Sequence, residues 1–183
     1  MTRATHSISL GLALGAVACL AVPATAQQHE DFDSYTAGNS VVGFGGWEEW
    51  GPGAGANVSN AQSLSLGNSI DIAGGTDLVH QYSGYNSGRW VYSAQQYIPG
   101  TMTGTSYFIM MSSYVVPNNK WAVQVAFNKA SGNVEADAGG AAAGATTPIL
   151  FDQWVEIKVV IDLTADWCQF YYNGVLLDDP LVA

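Results

Sequence analysis

The feature that most constrains this chain is the strict alternation of side chains between Trp154 and Leu163. One set of alternating positions is wholly aliphatic: Val155, Ile157, Val159, Ile161 and Leu163. The intervening set is mostly polar: Trp154, Glu156, Lys158, Val160 and Asp162. A period of two is that of a β-strand, because successive side chains point to opposite faces. We therefore predict a strand with its aliphatic face in the core and its other face mostly in water.

The same period recurs after Gln27, whereas no stretch there shows the sustained apolar spacing of three and four that indicates a helix. Alternation from Trp121 to Asn128 predicts a second strand, whose buried face consists of Trp121, Val123, Val125 and Phe127. The run from Tyr107 to Met111 is apolar at every position, which predicts a central strand covered on both faces. Such a strand needs a second layer, so the chain is predicted to be an all-β sandwich.

Turn signals divide the chain into short strands. Asn173-Gly174 supplies the two positive-φ positions of a type I′ turn and predicts a tight hairpin. Residues 73–76, Ala-Gly-Gly-Thr, are expected to join a strand at 69–72 to another at 77–82.

A longer strand is predicted over residues 88–98, between Gly88 and the Pro-Gly pair that follows Ile98. The Gly- and Ala-rich stretches 51–56 and 138–145 have little to bury and are expected to be mobile loops. Many short strands with irregular loops fit two packed antiparallel sheets, as in a jelly roll.

The N-terminus has the pattern of a cleavable secretory signal peptide. Arg3 precedes an apolar stretch from Ile8 to Val22, and the small residues Ala24-Thr25-Ala26 follow. That stretch is too short for a stable membrane span. We predict a signal peptide over residues 1–26 and one domain over 27–183, located outside the cell, in a periplasm or at a cell surface, with no membrane insertion after cleavage. A retained N-terminal anchor is the alternative.

The predicted domain is strongly acidic. Residues 27–183 contain four basic residues against fifteen acidic ones, a formal charge of −11. Nucleic acids and anionic membranes bind clustered Lys and Arg, so neither is expected as a partner. Cys168 is the only cysteine in this range, which excludes an internal disulfide. Its alternation with Phe170 and Tyr172 predicts a small buried apolar side chain.

Two segments carry a resemblance to a known superfamily. Asp31-Phe32-Asp33-Ser34-Tyr35, with Gly38, looks like the opening strand of concanavalin A-like lectin/glucanase domains, including laminin-G-like modules. The run Trp154–Leu163, followed by Phe170–Val175, resembles the family's Trp-strand-Asp and Tyr-x-Asn-Gly hairpin. The resemblance implies a jelly-roll sandwich that binds carbohydrate. Further strands normally follow this hairpin in the family, so the chain is expected either to lack C-terminal strands or to come from a longer protein.

Glycoside hydrolysis requires two carboxyl groups about 5 to 10 Å apart across the scissile bond. The Glu-x-Asp-x-Glu pattern of related hydrolases is absent from the sequence. Glu48 and Glu49 would point to opposite faces of a strand, and Glu156 and Asp162 would lie about 20 Å apart along one. No catalytic residue is therefore predicted for hydrolysis.

A polysaccharide lyase would use Arg to neutralise a uronate and Tyr or His as base and acid. His80, Tyr82, Arg89 and Tyr92 lie on two consecutive predicted strands and could meet on one face. Arg89 and Tyr92 fall on opposite faces of their strand, however, which weakens this set.

Metal ligands are represented only by scattered aspartates, and no cofactor is predicted. Relatives in the superfamily often hold calcium, which prefers several hard oxygen ligands, so a bound calcium ion is left open. The spacing matches no dedicated calcium loop, and most of these acids are expected to form turns or face solvent. The candidates are Asp31, Asp33, Asp71, Asp77, Asp137, Asp166, Asp178 and Asp179.

Aromatic and amide side chains are the remaining functional signal. Sugar sites combine flat aromatic faces with planar polar groups. The best candidates for a concave binding surface are Tyr82, Trp90, Tyr92, Gln124 and Asn128. We expect an exported, non-catalytic carbohydrate-binding or cell-surface adhesion module whose partner is a polysaccharide or glycoconjugate. The alternatives are a polysaccharide-degrading lyase or hydrolase and a structural surface protein without a small ligand.

Overall fold

The alternating segments pair into antiparallel sheets in a computed structural model, which describes residues 28–51, 55–65, 67–137 and 143–178. No helix occurs among these residues, and so none that is long and apolar enough to cross a membrane. The signal-peptide prediction lies outside the described residues.

From Asp31 onward the described chain forms one compact unit. Its strands are β1 (Trp47–Glu49), β2 (Asn57–Ser59), β3 (Ser69–Asp71), β4 (Leu78–His80), β5 (Arg89–Tyr97), β6 (Thr105–Ser113), β7 (Lys120–Asn128), β8 (Asn133–Asp137), β9 (Ala143–Pro148), β10 (Trp154–Asp162), β11 (Trp167–Tyr172) and β12 (Val175–Asp178).

The first four-stranded sheet has the order β12-β11-β10-β5. As alternation predicts for β10, Val155, Ile157 and Val159 are buried. The prediction that Leu163 continues this core face is wrong, because β10 ends at Asp162 and Leu163 is 40% exposed. The carboxylate of Asp162 accepts hydrogen bonds from the next turn and so ends the strand.

The second four-stranded sheet has the order β6-β7-β8-β9. Val123, Val125 and Phe127 of β7 are buried as predicted, but Trp121 is 49% exposed, which corrects its assignment to the core. The prediction of a central strand around Tyr107–Met111 is also wrong. That segment lies in β6, at one end of the strand order, and Tyr107 faces solvent.

The inner faces of the two sheets pack on each other in one hydrophobic core, as in a β-sandwich. A stack of three aromatic rings crosses this core. The centre of the Phe108 ring lies 5.5 Å from that of Tyr92 and 6.1 Å from that of Phe170. These rings come from β5, β6 and β11, so both sheets contribute. Cys168 packs against the same core, as predicted, but it is half-buried rather than fully buried.

Two small antiparallel sheets, β1-β4 and β2-β3, enclose a second cluster formed by Val41, Ala56 and Val58. Ala56 is buried, although it lies in a stretch predicted to be a mobile loop. Residues 143–145 likewise belong to strand β9 rather than to a loop. The remaining parts of those two loop predictions, residues 52–54 and 138–142, lie outside the described residues.

The predicted hairpin between β11 and β12 is confirmed. Tyr172 pairs with Val175, and the two intervening residues have positive φ, 48° at Asn173 and 74° at Gly174. These are the conformations of a type I′ turn. The hairpin fixes which β11 side chains face the core, because Phe170 and Tyr172 point inward and Tyr171 points outward.

Candidate functional site

Two of the candidates predicted from sequence, Trp90 and Tyr92, lie on the inner side of the first sheet. In the register of β5 with β10, Tyr92 is opposite the buried Val159 and Trp90 is opposite Ile161. Burial raises the pKa of the Tyr92 hydroxyl well above its ordinary value, and the neighbouring Tyr82 adds to the effect. Tyr92 is therefore a core residue that stays neutral.

Tyr82 lies beside this pair, 44% exposed, with its ring 6.3 Å from that of Tyr92. The other two candidates, Gln124 and Asn128, alternate with the buried residues of β7 and so point to the outer side of the second sheet. The Asn128 amide donates to the Glu135 carboxylate, 3.3 Å away. The five candidates thus occupy different sides of the sandwich and do not form one surface.

The residues considered for a lyase are also separated. The Arg89 side chain is 67% exposed on the outer side of β5, whereas Tyr92 faces inward. His80 Nε2 donates to the Gly45 carbonyl at 2.8 Å. Burial also raises the pKa of Tyr82, and the neighbouring Tyr85 adds to the effect. The hydroxyls of Tyr82 and Tyr92 therefore stay protonated and are poor general bases.

Carboxylates are dispersed in the same way. Glu48 and Glu49 are consecutive on β1, and Glu48 accepts a hydrogen bond from Gln81 at 2.9 Å. Glu156 and Asp162 lie six residues apart on β10, too far to act across one glycosidic bond. The described residues contain no group of three or more His, Cys, Asp or Glu side chains that could hold a metal ion.

A different surface collects aromatic and polar side chains: the outer face of the first sheet, which we call the aromatic face. It is the solvent side, since Val91 of β5 is 65% exposed and no described strand packs over it. Its polar members include Gln95, Glu156 and Gln169. Its four aromatic rings are Tyr97, Trp154, Trp167 and Tyr171.

One row of the aromatic face runs across three strands and contains Arg89, Asp162 and Trp167. The Arg89 guanidinium carbon lies 4.9 Å from the centre of the Trp167 ring. Its Nε lies 3.3 Å from Asp162 Oδ2. Asp162 Oδ1 accepts hydrogen bonds from the backbone N–H groups of Thr164 and Ala165, at 3.0 and 2.8 Å. The carboxylate is therefore already paired, and it anchors the arginine over the indole.

A second row lies further along the strands, where Lys158 is opposite Tyr171. The Lys158 ammonium lies 4.6 Å from the centre of the Tyr171 ring. The Tyr171 hydroxyl donates to Gln169 Oε1 at 3.1 Å. At the end of the sheet, the rings of Tyr97 and Trp154 lie 5.7 Å apart. The face thus presents rings, cations and amides side by side.

Sequence reasoning reached only part of this surface. Alternation predicts that Trp154 and Lys158 lie on the solvent side of β10, but only several aromatic side chains together on one solvent face would be a signal for a binding site. To assign Trp167 and Tyr171 to this face, the register of β11 must be known. The Asn-Gly turn and the inward-pointing Tyr172 together fix that register.

Neither the protein-family models, nor the curated proteins, nor the solved structures contain a match to this chain.

Proposed function

We propose that this protein is a non-catalytic carbohydrate-binding or adhesion module and that the aromatic face is its binding surface. The supporting observation is that four aromatic side chains share one solvent-facing sheet surface with amide and charged groups. Sugar rings present apolar C–H faces to aromatic rings and hydroxyls to planar polar groups, and this surface offers both partners.

The proposal includes the concanavalin A-like jelly roll and export from the cytoplasm. The two packed four-stranded sheets and the Asn-Gly hairpin support the fold proposal. The apolar segment and small residues within 1–26 support export to the outside, the periplasm or the cell surface. In those places a polysaccharide or glycoconjugate is an accessible partner, whereas the acidic charge disfavours nucleic acid and anionic membranes.

Gln124 and Asn128 form a second candidate contact, because they lie on the outer face of the other sheet near the exposed Tyr107. Tyr82 contributes a partly exposed ring at the side of the sandwich. Trp90 and Tyr92 lie on the inner side, and in this proposal they support the sheet from behind rather than touching the ligand.

The test is binding of the purified protein to a panel of immobilised neutral and acidic polysaccharides. Trp154→Ala or Trp167→Ala should weaken binding to the retained glycan by about 3- to 10-fold, the worth of one aromatic contact. Trp121→Ala removes an exposed tryptophan of the second sheet and should leave binding unchanged. Thermal melts of each variant check folding.

Two results would overturn the proposal: no retention on any polysaccharide, or equal losses from Trp121→Ala and Trp167→Ala. Release of reducing ends or of unsaturated uronates from a substrate would instead identify an enzyme.

A further inference from the structure

We propose that the aromatic face selects polysaccharides that carry uronic acid carboxylates. This inference rests on the proposed function and names its ligand class. It starts from the distribution of charge: residues 27–183 contain only four cationic side chains, and two of them, Arg89 and Lys158, lie on this face. Half of the cationic side chains of residues 27–183 therefore lie beside the aromatic rings, on a face that also carries the carboxylates of Glu156 and Asp162.

The position of Arg89 leaves the terminal N–H donors of its guanidinium available to a ligand. Its ion pair with Asp162 uses Nε, and among the described residues its two terminal nitrogens have no bonding partner. The guanidinium carbon lies 4.9 Å from the centre of the Trp167 ring, which helps to hold the group on this face. A planar guanidinium that presents a pair of N–H donors matches the two oxygens of a carboxylate.

Asp162 offsets part of the Arg89 charge, so recognition of a carboxylate here depends on the donor geometry of the guanidinium. Two backbone N–H groups and Arg89 already bond its carboxylate. The many acidic residues elsewhere act weakly here, because physiological salt screens exposed charges beyond about 8 Å. Glu156 is the remaining carboxylate of β10 on this face, and it lies six residues from Asp162 along the strand.

Lys158 provides a second contact point. Its ammonium lies over Tyr171, and within the described part of the chain it has no carboxylate partner. It is four residues from Asp162 along β10, which is about 13 Å. An extended polymer can therefore reach Arg89 with one acidic sugar and Lys158 with another, while intervening rings stack on the aromatic side chains.

The experiment compares polygalacturonate with its methyl ester, which has the same backbone but no charge. The protein should bind the acid form at least about tenfold more tightly, and this preference should shrink as salt is added. Arg89→Gln should lower affinity for polygalacturonate by about tenfold and leave affinity for the ester nearly unchanged. Lys120→Gln, which removes an exposed cation from the second sheet, is the matched control.

Arg89→Lys keeps the charge but loses the paired donors, so it should recover only part of the binding if the fork geometry matters. Thermal melts separate loss of binding from loss of folding, and Lys158→Gln gives an independent reading should Arg89→Gln unfold. Equal binding of acid and ester, or equal effects of Arg89→Gln and Lys120→Gln, would overturn the uronate inference while leaving glycan binding intact. Failure to retain any polysaccharide would overturn both.

Discussion

Tyr92 connects the core of the sandwich to the pH dependence of its stability. Its ring stacks on Phe108 between the sheets, and burial keeps its hydroxyl protonated far beyond the ordinary tyrosine pKa of 10.0. Below pH 10 both the folded and the unfolded chain hold this proton. Above pH 10 the unfolded chain releases it and the folded chain does not, so the free energy of unfolding must fall as pH rises.

We expect stability to decline from about pH 10 upward, with Tyr92 contributing at most about 1.4 kcal/mol per pH unit. Tyr92→Phe keeps the ring and removes the titrating group, so its urea unfolding midpoint should decline less steeply. Urea titrations of both proteins between pH 8 and 11 measure the difference. Parallel declines would show that Tyr92 does not carry the effect.

Arg89 shows why residue type alone could not define the site. Arg89 and Tyr92 are separated by two residues, yet one points to solvent and the other to the core. Which side of β5 is buried depends on its pairing with β10, far along the chain, and the segment around β5 contains no local signal for it. Trp90 and Tyr92 therefore looked as suitable for a binding surface as the residues that face solvent.

At the scale of elements, the β11-β12 hairpin depends on the backbone of its turn. Gly174 has φ of 74°, a conformation that costs an L-residue about 1 kcal/mol, although a Cβ there would touch nothing within 4 Å. We expect Gly174→Ala to destabilise the protein by about 1 kcal/mol through backbone strain alone. Urea unfolding measures this loss.

Gly74 provides the matched control, because it is equally open but lacks the positive φ. Gly74→Ala should be neutral or slightly stabilising, since alanine has less entropy to lose on folding. If both substitutions destabilise the protein equally, the turn conformation is not the cause.

The strands themselves were largely predictable, and the errors have a common origin. Alternation identifies the two faces of a strand, and it succeeded for Val123 to Phe127 and for Val155 to Val159. It does not reveal where the facing sheet ends, so Trp121 was assigned to the core although it lies near the end of β7. Nor does it reveal strand order, so the apolar sequence of β6 predicts a central strand although β6 lies at an edge of its sheet.

At the scale of the whole molecule, two hydrophobic clusters of unequal size are expected to differ in stability. The large one lies between the four-stranded sheets, while the small one has three fully buried side chains among the described residues, Val41, Ala56 and Val58. Local opening requires less free energy where fewer apolar contacts are lost. The two-stranded sheets should therefore open before the large core does.

Amide hydrogen exchange tests this order. Amides of β7, β10 and β11 should exchange slowest, and those of β2 and β3 should exchange faster. Val58→Ala should accelerate exchange in β2 and β3 and leave β10 unchanged, because it removes contacts only from the small cluster. Uniform protection across all four sheets would indicate a single cooperative unit instead.

The pairing of β5 with β10 also affects when folding can occur. All of β6 to β9 lies between these two strands in the chain. A ribosome therefore releases β5 long before its partner exists, and the first sheet cannot form until most of the chain has been made. Such distant pairing also slows folding, so the first sheet is expected to be the last part of the sandwich to form.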